Sequence, residues 1–285
     1  MGAADVVPGV SGGTIAFVTG IYTELLDSIK SISPAALGVW HRQGFAAFWR
    51  HINGTFLLVL GSGILLALLT LARGIHYLLL NEPVLVWSFF FGLILASCWH
   101  IGKEIRRWQP QQVLLLIVGA ALAAWISLAS PSQIEATPAI VFMAGAVAIC
   151  AMILPGISGS FILLLMGLYE PVLGAVRNFD ITILGLFACG AALGLALFSR
   201  VLSWLLHHYH DAMFALLTGF MAGSLVKVWP WKETLLTRVN SKGESVPFIQ
   251  QNVLPQLSSD LIPALILLLM GLILVLGLER FARGR

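Results

Sequence analysis

Residues 7–22 read VPGVSGGTIAFVTGIY, and residues 154–169 read LPGISGSFILLLMGLY. Superposed at an offset of 147 (Pro155 against Pro8), they are identical at Pro8/Pro155, Gly9/Gly156, Ser11/Ser158, Gly12/Gly159, Ile15/Ile162, Gly20/Gly167 and Tyr22/Tyr169. Self-similarity at a fixed offset marks an internal repeat. The shared Pro-Gly-x-Ser-Gly cluster also interrupts a helix, because proline lacks an N–H and glycine is free to leave helical φ and ψ. Pro8, Gly9, Pro155 and Gly156 are therefore the expected helix breaks.

The flanks of both segments are apolar. The 285 residues are 59% hydrophobic and 10% charged, with a mean hydropathy of +0.94, against about 45–50% and about 25% in soluble domains. Stretches 111–129 and 261–278 carry no charge and match the roughly 20 residues that cross a bilayer. Spans are predicted at 54–72, 84–101, 111–129, 181–202, 212–228 and 261–279. Irregular backbone at membrane depth survives only where protein or a cavity surrounds it, so the two broken segments predict re-entrant hairpins. Ala139 to Ile153 supplies an apolar first arm for the second hairpin. Only six residues precede the first turn, so that arm is expected to be short or absent, or the chain to start further upstream. The opening MGAADVVPGVSGG lacks the basic start and apolar run of a secretory signal and is expected to stay in the mature protein.

The repeat continues at an offset of 127 (Thr182 against Thr55) through Gly63/Gly190, Arg73/Arg200, Gly92/Gly219 and Ser97/Ser224. The change of offset places about 20 extra residues in the first half. They are assigned to 30–53, whose aromatic and basic residues suit an interfacial segment. A hairpin followed by three spans turns the second unit upside down relative to the first. The predicted fold is an all-α polytopic membrane protein of two inverted-topology repeats, 1–136 and 137–285, in one integral membrane domain. Loops 30–53 and 102–110 and the tail with Arg280, Arg283 and Arg285 share a basic side, predicted to be cytoplasmic. Loop 130–137 has no Lys or Arg, whereas loop 229–258, with Lys232, Arg238 and Lys242, runs against the rule.

Inverted repeats with discontinuous helices aim half-helix N–H groups and dipoles at anions near the midplane. Ser11, Gly12, Gly13 and Thr14, with Ser158, Gly159 and Ser160, stand where such half-helices start and are candidates for cradling a phosphate or carboxylate. Close helix packing by small residues is the alternative use. Arg73 and Arg200 occupy matching ends of apolar runs, and arginine suits phosphate through its permanent charge and planar donor fork. Snorkelling to opposite interfaces is the competing use. Asp5, Glu24 and Glu170 flank the broken segments and are the candidates for binding a coupling proton or sodium ion. The histidines at 76, 100, 207, 208 and 210 fall near the predicted ends of spans, in expected solvated interface.

Other chemistries find little support. Cys98, Cys150 and Cys189 lack CxxC or Cys/His spacing, so no metal site and no cofactor are expected. A net charge of +3 reports membrane orientation, and no nucleic-acid partner is expected. Gly9-Val10-Ser11-Gly12 and Gly156-Ile157-Ser158-Gly159 match the GxSG of rhomboid proteases, but a nucleophile needs a base in reach and one centre, not two copies. The expected protein is not an enzyme and has no catalytic residue.

Ala4-Asp5-Val6-Val7-Pro8-Gly9-Val10-Ser11-Gly12-Gly13-Thr14, followed by Gly20-Ile21-Tyr22, resembles the bacterial and archaeal polyprenyl-phosphate translocase family. Leu154-Pro155-Gly156-Ile157-Ser158-Gly159-Ser160 to Gly167-Leu168-Tyr169-Glu170 is similar to that family's second motif, and Phe90-Phe91-Gly92-Leu93-Ile94 and Leu217-Thr218-Gly219-Phe220-Met221-Ala222-Gly223-Ser224 also fit. The resemblance implies a multi-pass flippase of the bacterial cytoplasmic membrane that returns undecaprenyl phosphate to the cytoplasmic leaflet, with polyprenyl-phosphate lipid and the bilayer as partners. A transporter of a small soluble anion is an alternative. So is an enzyme like the undecaprenyl-diphosphate phosphatases, although their Pro-Gly-x-Ser-Arg-Ser-Gly loop has arginine where Gly12 and Gly159 stand here.

Overall fold

The computed structural model describes residues 1–7, 10–132, 134–239, 245–255 and 261–283. The expected breaks Pro8 and Gly9 lie outside them. The chain opens with a single turn, α1 (Gly2–Asp5), then α2 (Gly12–Val18) and α3 (Tyr22–Ser31). Helices α4 (Pro34–Gln43) and α5 (Phe45–His51) occupy the segment 30–53, where Phe45 contacts the rings of Trp40, Phe48 and Trp49 and Trp40 also contacts Phe48. Three long helices follow: α6 (Gly54–Asn81), α7 (Pro83–Gly102) and α8 (Pro110–Leu128). The order then recurs as α9 (Pro138–Ile153), α10 (Gly159–Leu165), α11 (Tyr169–Asn178), α12 (Ile181–His208) and α13 (His210–Val228). Strands β1 (Lys232–Val239) and β2 (Ser245–Asn252) precede α14 (Leu261–Arg283). Among the described residues, α6, α7, α8, α12 and α13 are long and apolar enough to cross a membrane, and α10 and α11 form a broken pair bent by 110°. The molecule is a mostly helical, polytopic membrane protein.

Local chemistry explains the punctuation. Proline at the first helical position starts α4, α7, α8 and α9, where its missing N–H costs nothing and its φ is already helical. The aligned Gly20 and Gly167 have φ of 74° and 72°, a left-handed conformation that side chains resist. They turn α2 into α3 and α10 into α11.

Two features depart from expectation. Helices α6 and α12 run on to Asn81 and His208, beyond the predicted ends at 72 and 202; in α6 the helix passes through Arg73, since arginine is a good helix former and its long stem lets a charge reach an interface. At about 1.5 Å per residue each is about 42 Å long, more than the ~30 Å hydrocarbon core. The all-α expectation also misses the antiparallel β1–β2 hairpin in loop 229–258. It is tied to α13 by Asn252 Nδ2 donating to Val226 O (2.8 Å) and Trp229 Nε1 donating to Val253 O (2.9 Å).

The long helices pack across the halves. Helix α14 lies along α7, with Gly92 against the Leu268 carbonyl and Gly271 against the Phe89 carbonyl. Helix α8 lies along α13, with Gly219 against the Leu116 carbonyl and Gly119 against the Leu216 carbonyl. The second set is the first transposed, by 127 (Gly219 against Gly92) and by 152 (Gly271 against Gly119). Glycine permits such backbone approach between membrane helices. Helix α9 packs on α12 through Gly145, Gly190 and Gly194. Its four-residue counterpart α1 packs on α6, with Gly2 against Ile64 and Ala67.

Side-chain contacts define two faces. On the first, Asp211 at the start of α13 accepts the backbone N–H groups of Arg106 and Arg107, between α7 and α8 (3.3 and 3.1 Å). The end of α12 meets α3 there, where Ser203 Oγ donates to Asp27 Oδ1 (2.6 Å). On the second, Ser132 N–H between α8 and α9 donates to Leu165 O at the end of α10 (2.7 Å), and the β1–β2 hairpin meets the start of α7, where Lys232 covers Trp87.

Candidate functional site

The two broken segments bond to each other. Ser11, buried as the N-cap of α2, accepts the Gly13 N–H (3.0 Å) and donates its hydroxyl to Met152 O (2.8 Å). Thr14, fully buried, accepts the Gly156 N–H (2.9 Å), and Tyr22 OH donates to Ile153 O (3.2 Å). Backbone groups freed where α9 breaks are thus satisfied by side chains of the first motif, which removes the cost of leaving them bare in an apolar interior. Gly13 sits against the Ile153 carbonyl so closely that a Cβ there collides with it. Gly156, at φ 84°, turns the second break against Phe220 O.

The acid expected beside the first break takes part directly. Asp5 Oδ1 accepts the Gly12 N–H at 2.7 Å, and a Cβ on Gly12 would lie 2.6 Å from Asp5 Oδ2. The first N–H groups of α2 are therefore held by a carboxylate and by Ser11. At the second turn Ser158 and Ser160 bond to each other (2.9 Å), and no side-chain cap closes α10. Gly159 lies against the Ala148 carbonyl.

Neither arginine has a hydrogen bond to these turns among the described residues. Arg73 is exposed on α6, and Arg200 donates to Ala196 O of its own helix (2.9 Å). Each comes about 29 Å along its helix, and α6 and α12 start from opposite faces. Glu24 accepts from Asn53 Nδ2 (2.8 Å) at the start of α6, and Glu170 lies in the first turn of α11.

Two polar groupings escape a sequence reading. Asp27 and Lys30 of α3 both bond Ser203 of α12 (2.6 and 3.3 Å), with His207 Nε2 3.6 Å from Asp27 Oδ2. On the other face Lys227, in the last turn of α13, and Lys232, on β1, share a cavity of about 410 Å³. Burial and the Lys227 charge push the Lys232 ammonium down to about 7. The one signal for this pair was a lysine inside the end of an apolar span.

A family profile described as undecaprenyl phosphate translocase-like matches residues 1–246. The chain belongs to this family. It is 54% identical over 289 residues to a Vibrio cholerae protein named polyprenyl-phosphate transporter, covering 99% of this chain and 94% of that one. A Staphylococcus aureus protein of the same name is 34% identical over 248 residues, covering 81% and 83%. No solved structure matches the chain. Within the family match fall both broken segments, both arginines, Lys227 and Lys232.

Proposed function

We propose that the protein carries undecaprenyl phosphate across the bacterial cytoplasmic membrane, returning this polyprenyl-phosphate carrier to the cytoplasmic leaflet for envelope synthesis. The observation that carries the proposal is the junction where Ser11, Thr14 and Tyr22 bond Met152, Gly156 and Ile153. It joins two discontinuous helices end to end inside the protein, the arrangement that transporters use for a site between repeats. The names of the two relatives support the lipid substrate.

In this reading, 1–136 and 137–285 are inverted repeats, supported by the transposed glycine contacts between the spans. The basic face is cytoplasmic. One half rocks against the other about the junction, and the head group crosses while the tail stays in lipid. Ser11–Thr14 and Ser158–Ser160 receive the phosphate in turn, with Arg73 and Arg200 serving opposite faces. Asp5 already holds the Gly12 N–H that a phosphate oxygen would take. A proton on Asp5 removes the competing charge, which makes it the coupling group ahead of Glu24 and Glu170, or of a sodium ion.

The test is a leaflet-resolved assay of labelled undecaprenyl phosphate in proteoliposomes, with and without a pH gradient. Transport that the gradient accelerates in wild type, and that Asp5→Asn makes indifferent to it, is the expected result. No transport by wild type under any ion gradient would overturn the function. Robust phosphate release from a polyprenyl diphosphate by the purified protein would replace it with an enzyme.

A further inference from the structure

We propose that Lys227 and Lys232 form a capture site for a phosphate-monoester head group beneath the β1–β2 hairpin, on the face opposite the basic one. The proposal rests on the lipid-phosphate reading and adds where the head group first binds. The cavity is lined by Ser127 at the end of α8, Lys227 on α13, Lys232 on β1, and Gln250, Gln251 and Asn252 on β2. Its charged lining residues are two cations, so an anion is the ligand that relieves their repulsion. Lysine is a point-charge binder of phosphate, and serine and amide side chains add neutral donors.

Each ammonium is held without being neutralised. Lys227 Nζ lies 4.2 Å from the Phe161 ring centroid and Lys232 Nζ 3.9 Å from that of Trp87, contacts that fix a cation but leave its N–H groups available. Among the described residues, the hydrogen bond that Lys232 Nζ donates goes to Lys227 O (2.6 Å), out of three N–H groups on an ammonium. Among the described residues, neither lysine makes an ion pair. Phe161 follows Ser160 in α10, so Lys227 links the cavity to the second broken segment. The position matching Lys227 at offset 127 is His100, so the other face does not repeat the lysine. Capture is therefore one-sided.

The depressed value of Lys232, about 7, sets the pH behaviour. Before ligand binds, the site carries its full charge below that value. A phosphate monoester gains its second charge near pH ~6, so affinity is greatest between the two. The remaining lining groups, Ser127, Leu128, Val226, Leu235, Gln250, Gln251 and Asn252, are uncharged.

The experiment is equilibrium binding of a short-chain polyprenyl phosphate to the purified full chain in detergent, with the matching polyprenol and inorganic phosphate as separate probes. Lys227→Gln and Lys232→Gln are each expected to weaken polyprenyl phosphate roughly tenfold, leaving polyprenol unchanged. Lys103→Gln, on the other face, is expected to bind as wild type. Lys232→Arg is expected to retain binding; loss equal to that of Lys232→Gln overturns the charge-based site. Unchanged affinity in both glutamine variants overturns it as well. Inorganic phosphate binding wild type as tightly as the lipid overturns the commitment to a lipid head group. Wild type that does not bind polyprenyl phosphate overturns the transport reading instead.

Discussion

At the first Pro-Gly-x-Ser-Gly turn, Ser11 caps α2, Asp5 takes the next N–H, and Thr14 reaches across to Gly156. At the second, Ser158 bonds Ser160, α10 has no side-chain cap, and a lysine lies over Phe161 one residue further on. The flanks account for the difference. Position 152, which matches Asp5 at offset 147, is methionine, so the second turn lacks the carboxylate that Asp5 supplies to the first. A repeated motif thus accompanies two helix breaks, and the residues around it decide that one carries a side-chain cap and the other does not.

The largest effect that can break this comparison comes from Gly13→Ala, whose Cβ meets the Ile153 carbonyl and lies 3.1 Å from Met152 O. A loss of about 3 kcal/mol is expected from overpacking against backbone, read as a fall in unfolding temperature in detergent. Wild-type stability would mean that the breaks do not meet. Thr14→Val leaves the buried Gly156 N–H without a partner and is expected to cost about 2 kcal/mol. Ser158→Ala removes only a hydroxyl pair, and a cost equal to that of Thr14→Val would erase the asymmetry. Gly20→Ala and Gly167→Ala force a side chain into the left-handed region at matching turns, for about 1 kcal/mol each; here the halves are expected to agree. Arg73→Ala and Arg200→Ala should change stability by less than about 0.5 kcal/mol while slowing transport. Unchanged flipping in both would remove the arginines from the site.

The broken segments and the long spans were legible because proline, glycine and uninterrupted apolar length act locally. The stretch from Arg73 to Asn81 that extends α6 was not, since a charge after a long apolar run reads as the end of the span although the helix continues through it. The bonding of Ser11 to Met152 was illegible for another reason. Small polar residues after a helix break fit an anion cradle and a backbone clamp equally well, and a bonding partner 141 positions away is not announced by anything near Ser11 in the sequence. Lys232 counted as one more loop charge because nothing near it in sequence announces the ring of Trp87. The β1–β2 hairpin was hidden in a connection whose length suggested only a loop.

The exchanged pairing of the long helices bears on how the chain is made. Helix α7 leaves the ribosome long before α14, the partner that fills the groove at Gly92, and α8 waits in the same way for α13. Contacts so distant along the chain form late and slowly. The N-terminal half must therefore sit in the bilayer with its interhelical surfaces unmatched until the second half is inserted, a period in which a chaperone, an insertase or a second nascent chain can compete for them.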